Sequence, residues 1–231
     1  CLGKKDPRTG ELIPSKLYTP PRACRDYGVY YLLITIAKNI GLTPLLQEIF
    51  PKLWHRILTC AIYEVSEKRP LYLCESWTES TQTETHEILS SQRISEMLKE
   101  IGSQEQRRLD FFRGWAKHRA EQEYIAFDIT SISSYSQLIE AVEYGYNRDG
   151  EDLPQINLGM LFGQTSFLPV FYTLYQGSIR DVATLHNMIA FTEYLDLREV
   201  RYVMDKGFFS IRNVVEMLDK RLKFHISVPF T

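Results

Sequence analysis

The sequence predicts an α+β protein with α/β-type connections, in which a helical N-terminal half is followed by a mixed β-sheet. Apolar residues recur at helical spacing from Asp26 to Lys68. At Tyr124 the spacing changes to short runs of β-branched and aromatic residues, bounded by Gly, Pro or Asn. Two amphipathic segments separate the last three runs, which gives the order β-β-β-α-β-α-β. The length of 231 residues suits one large domain or two small ones.

The N-terminal half divides into an arm and a helical domain. Residues 1–25 contain four prolines and show no apolar period, so we expect an extended arm there. Residues 26–123 are predicted to form helices that are broken at Gly41 and Pro51. We expect this domain to have a DNA-binding or assembly role.

Five strands are predicted in residues 124–231, at 124–130, 155–163, 166–177, 200–207 and 223–230. The second and third strands are separated only by "GQTS", which is hairpin length. Helices with Asp181 and Ser210 as expected N-caps precede the fourth and fifth strands. Because a connection through a helix returns parallel, the fourth strand should lie beside the first, in a 3-2-1-4-5 sheet.

Asp128 and Asp205 each lie near the end of an apolar, strand-like run, "YIAFDIT" and "VRYVMDKG". A buried carboxylate costs several kcal/mol unless it is paired, hydrogen-bonded or bound to a metal ion. Both aspartates fall at the carboxyl ends of the two strands expected to be neighbours, where sites gather in such sheets. Oxygen ligands there suit Mg²⁺ or Mn²⁺, and two such ions about 3.5–4 Å apart support phosphodiester displacement. The alternative is that each aspartate caps a turn after its strand.

Composition and charge narrow the class of protein. The chain has 44% hydrophobic and 24% charged residues, which is ordinary globular composition. The longest apolar stretch, Val29 to Ala37, is far shorter than the roughly 20 residues of a membrane span, and no signal peptide precedes it. We therefore expect a cytoplasmic protein without a membrane partner. The four cysteines have neither CxxC nor zinc-like spacing and are expected to be reduced.

The charge is unevenly distributed around its net value of −2. Residues 1–123 carry 18 basic and 16 acidic side chains, whereas residues 124–231 carry 9 basic and 13 acidic ones. The net negative charge of residues 124–231 disfavours phosphate binding by this half alone. Bound divalent cations would reverse the sign of the local charge. The first residue is Cys rather than Met, which indicates a fragment.

Several segments of the second half occur in an order that resembles one protein family. They are "FDITSISSYS", "EYGYNRDG", "LPVFYTLYQGSIRD" and "VMDKGFFS". Together they resemble the catalytic domain of DDE transposases of bacterial insertion sequences, the cut-and-paste group with a ribonuclease H-like fold. The resemblance implies metal-dependent hydrolysis at the ends of the element, followed by strand transfer. It also implies that Asp128 and Asp205 are the first two members of an acidic triad that holds Mg²⁺ or Mn²⁺, with two ions in the complete site.

The third acidic residue of the family, a Glu within a Tyr-x2-Arg-x3-Glu-x6-Lys signature, is absent from this sequence. The chain stops at Thr231, just after the fifth predicted strand. We therefore expect residues 124–231 to be a catalytic domain truncated before the third acid, and the fragment to be inactive alone. Glu216 is a weaker candidate for that role, because its surroundings are typical of a solvated helical face.

The resemblance also implies double-stranded DNA partners, namely terminal inverted repeats and target DNA, with a homodimer in the DNA complex and nucleoid association. Candidate DNA contacts are Arg148 in the "GYNRDG" segment, Lys206 beside Asp205, and Arg107 with Arg108 in a basic helical segment. For Arg148 an ordinary turn is the alternative. Two other functions stay open: a non-catalytic DNA-binding protein derived from a transposase, and a stand-alone metal-dependent nuclease.

Overall fold

The computed structural model of the chain describes residues 3–13, 24–85, 87–117, 123–146, 150, 152–195, 197 and 200–229. The chain divides into two compact units. The first comprises residues 1–43 and 52–99, and the second comprises residues 44–51 and 100–231. Candidate DNA contact Arg148 lies outside the described residues.

The first unit is helical apart from one small antiparallel pair, β1 (Lys4–Lys5) with β2 (Leu12–Ile13). Its helices are α1 (Gly28–Asn39), α3 (Trp54–Glu67) and α4 (Cys74–Ser80). The break predicted at Gly41 is observed, because this residue has a left-handed φ of 79° between α1 and the next helix. Lys68 ends α3 in the left-handed region, with φ 53°. The pair β1–β2 falls within the stretch for which we expected an extended arm.

The core of the first unit is aromatic. Tyr30 of α1 and Tyr63 of α3 are both 1% exposed. Their rings lie 6.4 Å and 5.5 Å from the ring of Trp77 in α4. Aromatic contacts of this kind contribute about 0.5–1.5 kcal/mol each beyond area burial. The short helix α4, which the polar sequence around it did not predict, is therefore fixed by tertiary packing.

Two helices cross the boundary between the units in sequence, α2 (Leu42–Ile49) and α5 (Ser91–Ser103). Within the described part of the chain, no single helix is long and apolar enough to span a membrane. Only α1 and α2 counted together, as a sharply bent pair, meet that criterion.

The second unit begins with α6 (Glu105–Lys117) and continues into a five-stranded mixed sheet. The strands are β3 (Tyr124–Ser133), β4 (Gln155–Gly163), β5 (Pro169–Gln176), β6 (Arg201–Met204) and β7 (Lys223–Ile226). Their order is β5-β4-β3-β6-β7. The first three strands pair antiparallel, while β6 lies parallel to both β3 and β7. The predicted fold class and the 3-2-1-4-5 order are confirmed.

Helices α7 (Asp181–Tyr194) and α8 (Ile211–Asp219) connect the parallel strands and cover one face of the sheet. That face carries Ile125, Phe127 and Ile129 of β3, which are at most 2% exposed. They form one core with apolar residues of both helices, among them Leu185, Met188, Ile189 and Met217. The predicted cap at Ser210 is confirmed, because its hydroxyl accepts a hydrogen bond from the backbone of Asn213 at 3.0 Å. At α7 the N-cap position is occupied by Arg180, and Asp181 is the first helical residue.

The opposite face of the sheet is more exposed. Tyr172 and Leu174 of β5 retain 51% and 55% of their accessible surface. On β3 the residues of this face are Tyr124, Ala126, Asp128 and Thr130, since side chains alternate along a strand. Asp128 is therefore an acidic residue on a partly apolar sheet surface.

Candidate functional site

Asp128 lies in the middle strand of the sheet and its side chain is exposed. The prediction that it lies at the carboxyl end of this strand is wrong, because β3 pairs with β4 as far as Ser133 and Asp128 falls inside it, just past the part that pairs with β6. Asp128 is directly opposite Met160 of β4. One carboxylate oxygen, Oδ1, accepts a hydrogen bond from the backbone N–H of Ile129 at 2.8 Å. This local bond helps fix the carboxylate at the surface of a rigid strand.

Asp205 is the residue directly after β6 and is also exposed. Its extended backbone, with φ −80° and ψ 177°, continues the strand by one residue. Oδ1 accepts a hydrogen bond from the N–H of Gly207 at 2.8 Å, so Asp205 caps the short 3-10 turn of residues 206–208. The turn-capping alternative therefore describes part of what Asp205 does.

The pairing of β3 with β6 sets the two aspartates side by side. Ala126 is opposite Val203, and Phe127 is opposite Met204. Asp128 and Asp205 come one residue further along the same two parallel strands. Because paired residues share a face and alternate with their neighbours, both carboxylates belong to the face of Ala126 and Val203. The predicted adjacency of the two strands is confirmed.

A third carboxylate approaches Asp205 from α7. A Cβ added at Gly207 would lie 3.0 Å from Oδ1 of Asp205 and 3.3 Å from Oδ2 of Asp181. A side chain at this position would crowd both oxygens, so each would have to move by a few tenths of an ångström. Asp181 therefore faces the turn that holds Asp205.

Hard carboxylate oxygens at the end of a sheet fit Mg²⁺ or Mn²⁺, which take few protein ligands and complete their shell with water and phosphate. Asp128 and Asp205 meet that requirement as a pair. Across the described residues, no group of three or more His, Cys, Asp or Glu gathers that could hold a metal ion.

The other predicted residues are distributed more widely. Lys206 follows Asp205 directly and is exposed. Arg107 and Arg108 are exposed on α6, as a phosphate contact requires. Oε1 of Glu216 in α8 lies 2.6 Å from Nδ1 of His186 in α7, where the carboxylate accepts a hydrogen bond from the ring. Glu216 is therefore paired with a neighbouring helix.

A cavity of about 520 Å³ opens beside the 3-10 turn of residues 206–208. Its lining includes Tyr146, Ser178, Arg180, Asp181 and Gly207. The cavity therefore touches both Asp181 and the turn that Asp205 caps.

Two buried amides of β4 fix the walls of this cavity. Asn157, 4% exposed, donates from Nδ2 to the backbone oxygen of Ile179 at 2.9 Å and to that of Gly177 at 3.3 Å. Gln155, fully buried, donates from Nε2 to the oxygen of Tyr146 at 2.8 Å and to that of Gly177 at 3.2 Å. Such buried networks rigidify the segments that they satisfy. These hydrogen bonds hold the backbone at Ile179, next to Arg180, and the backbone at Tyr146 against β4.

Sequence reasoning identified the aspartates but not this cavity. Gln155 and Asn157 occupy alternate positions of an apolar strand, and their partners are backbone oxygens 9 to 22 residues away in the chain. The periodicity of residues along the strand does not predict such bonds. A usable signal was the pair Gly145 and Gly177: a Cβ at Gly145 would lie 1.9 Å from the oxygen of Gly177, so two segments must approach closely there.

No protein-family profile matches this chain, and no curated protein does. Among solved structures it is similar to a piggyBac transposase synaptic complex with hairpin DNA, at 12% identity and a TM-score of 0.34, over 83% of this chain and 40% of that one. It is also similar to a Mos1 transposase paired-end complex with left transposon end, at 9% identity and a TM-score of 0.31, over 93% and 62%. A pre-cleavage Mos1 transpososome gives 14% identity and a TM-score of 0.31, over 85% and 76%.

The chain spans less than two thirds of the length of the first two of these transposases. At these identities and TM-scores, the likenesses carry no argument about activity. The function therefore rests on the geometry of the site and on the sequence segments around it.

Proposed function

We propose that this chain is part of a DDE-type DNA transposase of the bacterial insertion-sequence kind. It would cut phosphodiester bonds at the ends of its element and join the freed 3′-hydroxyl to target DNA. The substrate would be double-stranded DNA with terminal inverted repeats, bound by a homodimer. The proposal rests on one observation above others: the parallel pairing of β3 and β6, beyond which Asp128, inside β3, and Asp205, directly after β6, follow on one face of neighbouring strands.

In this proposal Asp128 and Asp205 hold divalent cations, Mg²⁺ or Mn²⁺, just past the part of β3 that pairs with β6. When bound, two such ions activate the attacking oxygen and stabilise the leaving oxygen of an in-line displacement. The protein's own contribution is positioning. The hydrogen bonds from Ile129 and Gly207 fix one oxygen of each carboxylate.

Basic side chains around the acidic pair would contact the DNA backbone. Lys206 is placed by the same turn as Asp205 and would contact a phosphate near the reacting bond. Arg107 and Arg108 would contact phosphates further away, and Arg148 remains a proposed contact. Contacts of this type supply affinity without sequence information.

The test of this function replaces the aspartates by residues of equal size. Asp128→Asn and Asp205→Asn remove a charge needed to hold the cation, so nicking and strand transfer should both fall to background. DNA binding should survive, because affinity comes mainly from Lys and Arg contacts to phosphate. The measurements are a cleavage assay with Mg²⁺ or Mn²⁺ and a gel-shift assay on the same end-containing duplex. Cleavage is measured on the product of the complete reading frame, because we expect residues 1–231 alone to be inactive, and the gel shift is measured on both.

If both Asn variants cut DNA at the parental rate, the aspartates are turn caps and the proposed role fails. A non-catalytic DNA-binding protein derived from a transposase is the second candidate. It is favoured by the fact that, among the described residues, no group of three or more His, Cys, Asp or Glu gathers that could hold a metal ion. That protein would shift the duplex but show no cation-dependent cleavage in its complete form.

A further inference from the structure

One corner of the exposed sheet face carries a group of basic and aromatic side chains, which we call the basic patch. Its members are Tyr124 of β3, Arg201 of β6, and Lys223 and His225 of β7. Tyr124 is directly opposite Arg201, and Arg201 is directly opposite Lys223. His225 is opposite Val203, two residues further along the same face. The basic patch therefore lies at the amino ends of the parallel strands.

The ring of Tyr124 orders the centre of the basic patch. The guanidinium carbon of Arg201 lies over this ring, 5.4 Å from its centroid, which is the range of a cation–π contact. The ring of His225 lies 5.8 Å from the same centroid. A guanidinium over a ring keeps its N–H donors, because these lie in its own plane. Arg201 is thus held in place and can still donate to an anion.

The basic patch has a positive charge that an anionic partner would complement. Among the residues that the structure describes, no carboxylate forms an ion pair with the Arg201 guanidinium. Lys223 and His225 are both exposed. Arg201 and Lys223 are like charges held opposite each other on neighbouring strands, so an anion that contacts both is attracted by both and reduces their repulsion. The basic patch therefore suits a partner that presents a row of negative charges.

The strands β3 and β6 connect the basic patch to the acidic pair on the same face. Asp128 lies four residues after Tyr124, and Asp205 lies four residues after Arg201. At roughly 3.3 Å per residue, this separation is about 13 Å. Each strand of a DNA duplex has one phosphate for about 3.4 Å of helix axis, so about 13 Å corresponds to about four nucleotides. A duplex backbone that follows β3 would have one phosphate at the acidic pair and another at the basic patch.

We propose that the basic patch binds the phosphodiester backbone of duplex DNA, with Arg201 and Lys223 as the phosphate contacts and Tyr124 as a positioning residue for Arg201. The proposal rests on the transposase function and deepens it, because it assigns a second contact surface to the duplex that the acidic pair would cut. Contacts of this kind fix the register of the protein on the duplex and carry no sequence information.

The experiment measures the salt dependence of DNA binding, not cleavage. A short fluorescein-labelled DNA duplex is titrated with the 231-residue chain at a fixed Mg²⁺ concentration, and anisotropy is followed at several concentrations of monovalent salt. Arg201→Gln and Lys223→Gln should each lower the magnitude of the slope of log K against log salt by about 0.9, the value for one phosphate contact on duplex DNA. Arg201→Lys keeps the charge and should keep the parental slope.

Two substitutions of Tyr124 test its positioning role. Tyr124→Phe keeps the ring and should bind like the parent. Tyr124→Leu removes the ring and should weaken binding roughly two- to five-fold, which corresponds to the loss of one exposed cation–π contact. The salt slope of Tyr124→Leu should stay parental, because Arg201 keeps its charge. A purely structural role of the ring would not distinguish the slope from the affinity in this way.

Lys220→Gln is the matched control for Lys223→Gln. Lys220 is the C-cap of α8, in the helical layer on the other face of the sheet, and its Nζ lies 2.6 Å from a carboxylate oxygen of Glu193. This variant loses the same charge and should keep the parental slope. A thermal melt of each variant verifies folding. Lys223→Gln, at an exposed position of the edge strand β7, carries the test if Arg201→Gln does not fold.

Three results would overturn the proposal. The parent chain fails to bind the duplex, the Arg201 and Lys223 variants keep the parental slope, or Lys220→Gln changes the slope as much as they do. If the slopes stay parental and the patch variants instead change the oligomeric mass in light scattering, the basic patch is a protein interface and the proposal fails.

These outcomes are independent of the cleavage test. Reduced slopes of the patch variants, without any cation-dependent cleavage by the complete product, would support the basic patch and contradict the transposase function. Cleavage that depends on Asp128 and Asp205, together with parental slopes of the patch variants, would contradict the basic patch alone.

Discussion

The carboxylate of Glu123 closes the β4–β5 hairpin by binding Ser166. Oε1 accepts a hydrogen bond from the Ser166 hydroxyl at 2.6 Å, and Oε2 accepts one from the Ser166 N–H at 2.7 Å. The N–H of Thr165 donates to Oε2 as well. Glu123, which precedes β3, thus accepts the hydrogen bonds of the turn between β4 and β5. Only 7% of this residue is exposed.

Glu123→Ala should therefore destabilise the second unit. The substitution leaves two backbone N–H groups without their acceptor, and a hydrogen bond to a charged group contributes about 1.5–3 kcal/mol. Urea denaturation, followed by circular dichroism, measures the loss. Ser166→Ala removes only the hydroxyl and should cost less. Equal stability of Glu123→Ala and the parent would show that the hairpin does not depend on this carboxylate.

Two replacements at Asp205 should distinguish the contribution of its hydrogen bond to Gly207 from that of its negative charge. Asp205→Asn keeps an oxygen that can accept from Gly207, so its melting temperature should match that of the parent. Asp205→Ala loses the cap and should be less stable by about 0.5–2 kcal/mol, by analogy with helix N-caps. Differential scanning calorimetry compares the two. If Asn and Ala destabilise equally, the bond to Gly207 contributes nothing measurable.

Gly145 lies where its backbone approaches that of Gly177 closely, so a side chain at this position should destabilise the protein. Gly145→Ala would place a Cβ 1.9 Å from the oxygen of Gly177, so the walls of the cavity must separate. We expect a loss of about 1–3 kcal/mol, as for overpacked sites. Gly102→Ala is the control, since nothing lies within 4 Å of its Cβ position in α5 and alanine favours helix by up to about 1 kcal/mol. Thermal melts of both variants should shift in opposite directions.

The stability of the first unit should depend on pH through Glu87. Burial raises the pKa of this carboxyl, but hydrogen bonds and charge from Arg56 and His55 outweigh burial, so the folded-state pKa is below its ordinary value. Arg56 binds it with two bonds, of 2.7 Å and 2.9 Å. Because the folded pKa is depressed, the stabilisation is present above the unfolded pKa and is lost as pH falls through the folded pKa.

Glu87→Gln should thus be less stable than the parent at neutral pH, by about 1.5–3 kcal/mol. The difference should shrink once the pH falls below the unfolded value of about 4.3. Urea midpoints of parent and variant across this range test the prediction. Glu79→Gln, on the exposed surface of α4, serves as the comparison. A difference between parent and Glu87→Gln that is constant with pH would contradict a charge-based origin.

The sequence predicted the features that depend on local pattern and missed those that depend on distant backbone groups. Strand periodicity and the two helical connections were enough to place Asp128 and Asp205 on neighbouring parallel strands. The approach of Asp181 to Asp205 was not predicted, because it depends on how α7 meets the turn at Gly207. The cavity beside Gly207 was missed for a similar reason: its wall at Ile179 is held by a hydrogen bond from Asn157, which has no counterpart in residue spacing.

The parallel pairing of β3 with β6 also orders the folding of the second unit. The antiparallel strands β3, β4 and β5 follow one another along the chain, and β4 and β5 are joined by a short turn, so their contacts close shorter loops than the contact of β3 with β6. Strand β6 reaches β3 only after the chain has passed through β4, β5 and α7, and such non-local contacts form more slowly because of loop-closure entropy. Asp205 therefore comes to lie beside Asp128 late in folding. Incompletely folded chains would have one carboxylate at the centre of an open hairpin and would lack the assembled acidic pair.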